Sequence, residues 1–91
     1  MVEYPSLVSF VMRAKNRLQI LSALEKEAKY SGLLAKETRL YKSHISRAIK
    51  ELESKELIVC KNPLDRSYKF YSLTSKGKKV LDEVKKITFK R

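Results

Sequence analysis

Apolar residues recur along this chain with two different periods, and the change between them divides it into elements. Residues 5–14, PSLVSFVMRA, gather Leu7, Val8, Phe10, Val11 and Met12 without a turn signal. Pro5 suits a first helical turn, so a short apolar helix is predicted over 5–14. Asn16 and Gln19 in NRLQ have the spacing of a capping box, which would start a second helix at 16. Leu18, Leu21, Leu24 and Ala28, with Ile20 beside them, form an i, i+3, i+4 stripe that carries this helix to 29, while Arg17, Glu25, Lys26 and Lys29 lie mostly off it. After the break KYSG, Ser31 is placed to cap a short helix over 31–38 that buries Leu33 or Leu34, and Ala35.

A longer helix is predicted over 42–55, with Ile45, Ala48, Ile49 and Leu52 as its buried face. Two helices separated by three or four residues form a helix-turn-helix. Beyond Glu56 the period shortens: LIVCK (57–61) and YKFYSL (68–73) alternate in polarity, and NPLDRS between them carries turn residues. Residues 57–73 therefore read as a hairpin. Thr74 then caps a last helix over 75–88, seamed by Val80, Leu81, Val84 and Ile87.

The polar side of the 42–55 helix is one-sided in its chemistry. It carries Lys42, Ser43, His44, Ser46, Arg47 and Lys50, so its N-terminal half is entirely basic or hydroxyl-bearing. A merely solvated face would take charge of either sign. The bulk charge points the same way: 21 Lys and Arg against 10 Asp and Glu give +11, which favours a polyanionic partner.

Other classes lose ground. Ninety-one residues make one small domain with little room for an enzyme cleft. One His, one Cys and no paired carboxylates in a plausible cleft leave no general acid, base or nucleophile arrangement, so no enzyme and no cofactor are expected. The lone Cys60 and lone His44 supply no metal-site cluster, and Cys60 cannot form an internal disulfide. The apolar runs are far shorter than the ~18 residues of a spanning helix. The first fifteen residues place positive charge after the apolar stretch rather than before it, unlike a signal peptide, so a cytoplasmic, nucleoid-associated location is expected.

Helix, helix-turn-helix, two-stranded hairpin and helix is an order that resembles the winged helix-turn-helix transcription regulators, of the broad kind that includes MarR-like, ArsR-like and small archaeal-type proteins. The resembling stretches are KNRLQILSAL (15–24), LLAKETRLYKSHISRAIKELESKELI (33–58) and YSLTSKGKKVL (71–81). The spacing from SHISRAIKELESKELI through the hairpin to LTSKG is the specific part. The resemblance implies a mainly α fold with a small β-hairpin wing, spanning 1–91 as one domain. It also implies that the 42–55 helix enters the major groove of double-stranded DNA.

Carried onto this chain, the resemblance makes Arg47 the candidate for bidentate guanine readout. Ser43, His44 and Ser46 would reach bases or phosphate, and Lys42 and Lys50 would hold phosphate. Arg39 and Tyr41 in the turn, and Lys61, Arg66, Ser67 and Lys69 on the wing, complete the expected DNA-binding set. Arg39 stands where relatives often have Gly, and Tyr41 where a Ser commonly caps the helix. The turn could therefore be reshaped and the helix could start late, at Ser43.

The terminal helices carry more apolar residues than a small winged-helix core is expected to cover: Leu7, Val8, Phe10, Val11, Val80, Leu81, Val84, Ile87 and Phe89. A homodimer packed through them is the expectation, with an N-terminal helix folded back on its own domain as the alternative. The function expected is a sequence-specific transcription regulator, commonly a repressor. A non-specific architectural DNA-binding protein and a winged-helix protein-interaction module are the alternatives. Sequence identifies no effector ligand.

Overall fold

The computed structural model describes residues 3–88. Five helices run over Pro5–Met12 (α1), Lys15–Ala23 (α2), Ser31–Thr38 (α3), Lys42–Ser54 (α4) and Ser75–Thr88 (α5). Three short strands, Lys29–Tyr30 (β1), Ile58–Cys60 (β2) and Phe70–Leu73 (β3), form an antiparallel sheet in the order β1-β3-β2. This is a mainly α fold with a small wing.

The expected break between the first two helices is sharp. Ala14 is extended (φ −136°, ψ 114°), and α2 begins at Lys15 with no side-chain cap. The capping box does not form, because Asn16 already lies inside the helix and its side chain is not at the capping position. α2 also ends at Ala23 rather than 29. Leu24 closes it with N–H bonds to the Ile20 and Leu21 carbonyls at 3.1 and 3.2 Å. The chain then turns to pair Lys29 with Tyr71 and Tyr30 with Phe70, so sheet pairing wins over the helical stripe. Likewise Ser31 is the first helical residue of α3 and caps nothing; Tyr30 holds the N-cap position.

α4 buries Ile45, Ala48, Ile49 and Leu52 against α2 and α3, with Leu34 rather than Leu33 fully inside. Arg17 ties three helices together. Its Nε donates to Glu51 Oε1 at 3.1 Å, its Nη1 donates to the Phe10 carbonyl, and its guanidinium lies 3.8 Å from the Phe10 ring centre. At its far end α4 stops in a Schellman arrangement: Leu57 N–H donates to the Leu52 carbonyl and Glu56 N–H to that of Glu53, with Glu56 left-handed at φ 61°.

The terminal helices correct the interface expectation. Val8 is 5% exposed, and Val11, Val80, Leu81 and Val84 are at 0%, all within one chain's core. α1 lies along α5, so these residues have already left water and are not available to a second copy. The core also takes in Leu57 and Ile58, which the small-core expectation undercounted. Leu7 and Phe10 are half-buried against the core, and Ile87 alone of the α5 seam stays outside at 47% exposure. Phe89 lies outside the described residues.

Candidate nucleic-acid interface

Between α3 and α4 the chain reverses through Thr38, Arg39 and Leu40. Arg39 is left-handed (φ 62°, ψ 25°), a conformation that costs an ordinary residue about 1–2 kcal/mol. The turn is therefore kept rather than reshaped. Thr38 offsets part of that cost: its hydroxyl donates to the Leu34 carbonyl at 2.7 Å and accepts the Leu40 N–H at 3.3 Å. Arg39 N–H closes α3 on the Ala35 carbonyl at 2.9 Å.

Nor does α4 start late. Tyr41 is its N-cap without a side-chain bond, and Lys42 is its first residue. The first turn holds no acid, so its free N–H groups and the positive end of the helix dipole face outward uncompensated. Tyr41 is 80% exposed, its ring edge-on to His44 at 5.9 Å.

Lys42, Ser43, His44, Ser46, Arg47 and Lys50 are all exposed. At 3.6 residues per turn, Ser43 and Lys50 run down the middle of this face, Lys42 and Ser46 on one side, His44 and Arg47 on the other. The cations of this face, its turn and the wing stand free of carboxylates among the described residues. Among the described residues, the cations in ion pairs are Arg17, Lys29, Lys76, Lys79, Lys85 and Lys86. None of Arg39, Lys42, Arg47, Lys50, Lys61, Arg66 or Lys69 is among them. Glu51, the nearest acid along α4, is held by Arg17.

A cleft borders α4 on each side. One, of about 240 Å³, brings Lys42 and Ser46 together with Ser31 and Gly32 at the start of α3 and with Ser67 and Lys69 of the wing. The other, of about 270 Å³, lies between His44 and Arg47 and the start of α2 at Ala14 and Asn16. Ser31, Gly32 and Asn16 are absent from the expected set. No local signal marks them, because only the packing of α2 and α3 brings them to α4.

The wing loop is ordered by two side chains. Asn62 donates through Nδ2 to the Tyr68 carbonyl and accepts the Phe70 N–H at Oδ1, both at 2.7 Å. Asp65 Oδ1 accepts the N–H groups of Ser67 at 2.7 Å and Tyr68 at 3.0 Å. The Tyr68 and Ser67 amides hold the Asp65 carboxyl below its usual 3.8. Tyr30 packs edge-on against Tyr68 and Phe70, with ring centres 5.3 and 5.6 Å away, fixing the wing's base to α3. Lys61, Arg66, Ser67 and Lys69 are exposed along the wing. Cys60 is a free, half-buried thiol, its Sγ 3.8 Å from Asn62 Oδ1.

Among the described residues no group of three or more His, Cys, Asp or Glu is placed to hold a metal ion. No helix among them is long and apolar enough to cross a membrane.

A family model described as winged helix-turn-helix matches residues 13–91. Comparison with curated proteins found no match. Among solved structures, the transcriptional regulator BldR from Sulfolobus solfataricus is 26% identical, with a TM-score of 0.74 over 92% of this chain and 67% of that one. ZitR from Lactococcus lactis, a zinc-responsive MarR family member, is 25% identical, with a TM-score of 0.69 over 77% of this chain. A structure of ZitR in complex with DNA matches at 24% identity and a TM-score of 0.68, over 76% of this chain and 48% of that one. The chain thus spans about half the length of ZitR (49%).

Proposed function

This chain belongs to the winged helix-turn-helix family, and from that premise we propose that it is an intracellular, sequence-specific regulator of transcription that binds double-stranded DNA. The observation that carries the reading is the one-sided chemistry of the exposed α4 face, basic or hydroxyl-bearing throughout, with the basic wing standing beside it. Lys42, Arg47 and Lys50 on α4, Arg39 in its turn and Lys61, Arg66 and Lys69 on the wing are exposed and in no ion pair among the described residues. The first turn of α4 holds no acid, and Glu51 is held by Arg17. The same outline in ZitR has been solved with DNA bound, which supports the reading.

In this reading α4 lies in the major groove. Arg47 donates both guanidinium N–H groups to guanine O6 and N7, worth about 1–3 kcal/mol of discrimination. Ser43, His44 and Ser46 meet base edges or phosphate. Lys42 and Lys50 hold phosphates, joined by Arg39, by the amides of Ser31 and Gly32, and by Lys61, Arg66, Ser67 and Lys69 of the wing. Tyr41 covers the sugar-phosphate edge beside His44. Two copies related by a two-fold axis would present their α4 helices about 34 Å apart to a palindromic site. Of the expected interface residues, Leu7, Phe10 and Ile87 are the ones left for that contact among the described residues. Occluding a promoter in this way makes the protein a repressor.

A second reading is favoured by one feature, the excess of Lys over Arg, 15 to 6: an architectural DNA-binding protein that holds phosphates without reading bases. Fluorescence-anisotropy titration against DNA from upstream of its own gene and against a scrambled duplex, at several salt concentrations, separates the two. Preference for the native fragment that persists at physiological salt supports the regulator. Equal, steeply salt-dependent binding supports the architectural protein, and no binding at low salt overturns both.

A further inference from the structure

Leu64, at the tip of the wing, is 94% exposed, and its exposure does not come from a loose loop. Asp65 N–H donates to the Asn62 carbonyl at 3.0 Å, closing a β-turn with Pro63 and Leu64 at its corners. Neither corner has a positive φ, and Asn followed by Pro suits a type I turn. Strand-like pairing ends where Lys61 N–H meets the Phe70 carbonyl at 2.7 Å. Beyond that point the Asn62 and Asp65 side chains take over, with four bonds to backbone groups of residues 67–70. A leucine is thus held at a fixed apex, in water, where it contributes nothing to the core.

Its neighbours suit nucleic acid. Arg66 is exposed two residues on, Lys61 and Lys69 stand below it, and the one acid of the tip, Asp65, is turned inward onto two N–H groups. Ser67 and Lys69 share a cleft with Lys42 and Ser46, so the wing stands directly beside α4. A helix seated in the major groove brings a wing so placed over the adjacent minor groove.

Resting on the DNA-binding reading above, we propose that Leu64 is an apolar wedge that enters the minor groove, partly unstacks one base step and bends the duplex. Arg66 and the flanking lysines neutralise the phosphates drawn together around it. Apolar side chains act this way in proteins that kink DNA, and pyrimidine–purine steps yield most easily. Leu64 would therefore select a flexible step at a position where the protein makes no base hydrogen bond. Rigidity of the tip is what allows it: a mobile loop would lose its order on insertion and give back the gain.

The test uses the duplex that binds tightest among fragments of the gene's own upstream DNA, with 2-aminopurine placed in turn at each base step of that duplex. Anisotropy reads binding, 2-aminopurine fluorescence reads unstacking, and end-to-end energy transfer reads bending. Wild type should raise the fluorescence at one step and shorten the end-to-end distance. Leu64→Ala should bind roughly tenfold more weakly, the lower end of what a buried leucine contributes, and lose both signals; Leu64→Met should retain them. Arg47→Ala should weaken binding yet keep both signals once the duplex is saturated. Saturation by wild type without any rise or bend, or unchanged signals in Leu64→Ala, would overturn the wedge while leaving DNA binding intact. Absence of binding to any duplex at low salt would overturn the regulator reading, and the wedge with it.

Discussion

Gly77 passes so close to Leu57 that a Cβ at position 77 would lie 1.9 Å from the Leu57 carbonyl oxygen. Around that approach the end of α4, the start of the wing and α5 are clasped together. Thr74 N–H donates to the Leu57 carbonyl at 3.1 Å, the Thr74 hydroxyl donates to that of Glu56 at 2.6 Å, and Gly77 N–H donates to the Thr74 hydroxyl at 2.9 Å. Because the obstacle is backbone, no rotamer change relieves it. Gly77→Ala should therefore cost about 2–3 kcal/mol, the upper part of the overpacking range. Urea unfolding measures it; a loss under half a kcal/mol would mean α5 can move away freely.

Arg39 sets stability against affinity. Its left-handed conformation is one that glycine adopts without strain, so Arg39→Gly should gain about 0.5–1 kcal/mol after the entropy of the unfolded chain is counted. For a domain of this size that raises Tm by several degrees. The same change should weaken DNA binding and lower the salt slope by about 0.9 if Arg39 holds one phosphate. Calorimetry and a salt titration on one variant read both effects; a fall in Tm would contradict the strain.

Arg47 and Lys50 sit one turn apart on the same exposed face and have different proposed work. Arg47→Ala should lose about 1–3 kcal/mol against the preferred base and much less against its competitors. Lys50→Ala should weaken all duplexes alike and flatten the salt slope by about 0.9. Binding to a set of duplexes substituted one base pair at a time separates the two. Uniform losses from both variants would remove Arg47 from base readout.

Acid should loosen the wing before the core. The Asp65 carboxyl is held below 3.8 by the Tyr68 and Ser67 amides, and Glu56 below 4.5 by Lys76. A carboxylate whose folded pKa is depressed contributes its stability in full above the unfolded value, and loses it as pH falls through the folded one. The window is thus below about pH 4. Amide-proton shifts of Ser67 and Tyr68 should titrate there with Asp65, and in Asp65→Ala they should already lie at the acid position at neutral pH. Shifts that stay flat down to pH 2 would show that Asp65 does not order the tip.

Much of the fold and the register of α4 are legible in the sequence. Its buried quartet Ile45, Ala48, Ile49 and Leu52 follows a helical period over more than two turns. A one-sided polar face can be read from one element alone, because it depends on neighbours three and four residues away. The order of helices around a hairpin was legible for the same reason, as was Thr74 at the start of α5.

What escaped the sequence depends on contacts between distant segments. β1 is two residues long, too short to show a period, and exists because β3 offers it partners; that pairing also ends α2 early. The apolar excess of α1 and α5 reads as an interface in the sequence, but the two helices lie along each other and bury most of it within one chain. The clefts beside α4 join Ser31 and Gly32, or Asn16, to side chains that are neighbours only after folding. Gly77 is just a helix-weakening residue until the Leu57 carbonyl stands beside it. Local periodicity and charge thus determined which helix meets a polyanion and with which face, while tertiary packing decided what stands beside that helix, since side-chain burial and backbone approach are properties of pairs of segments.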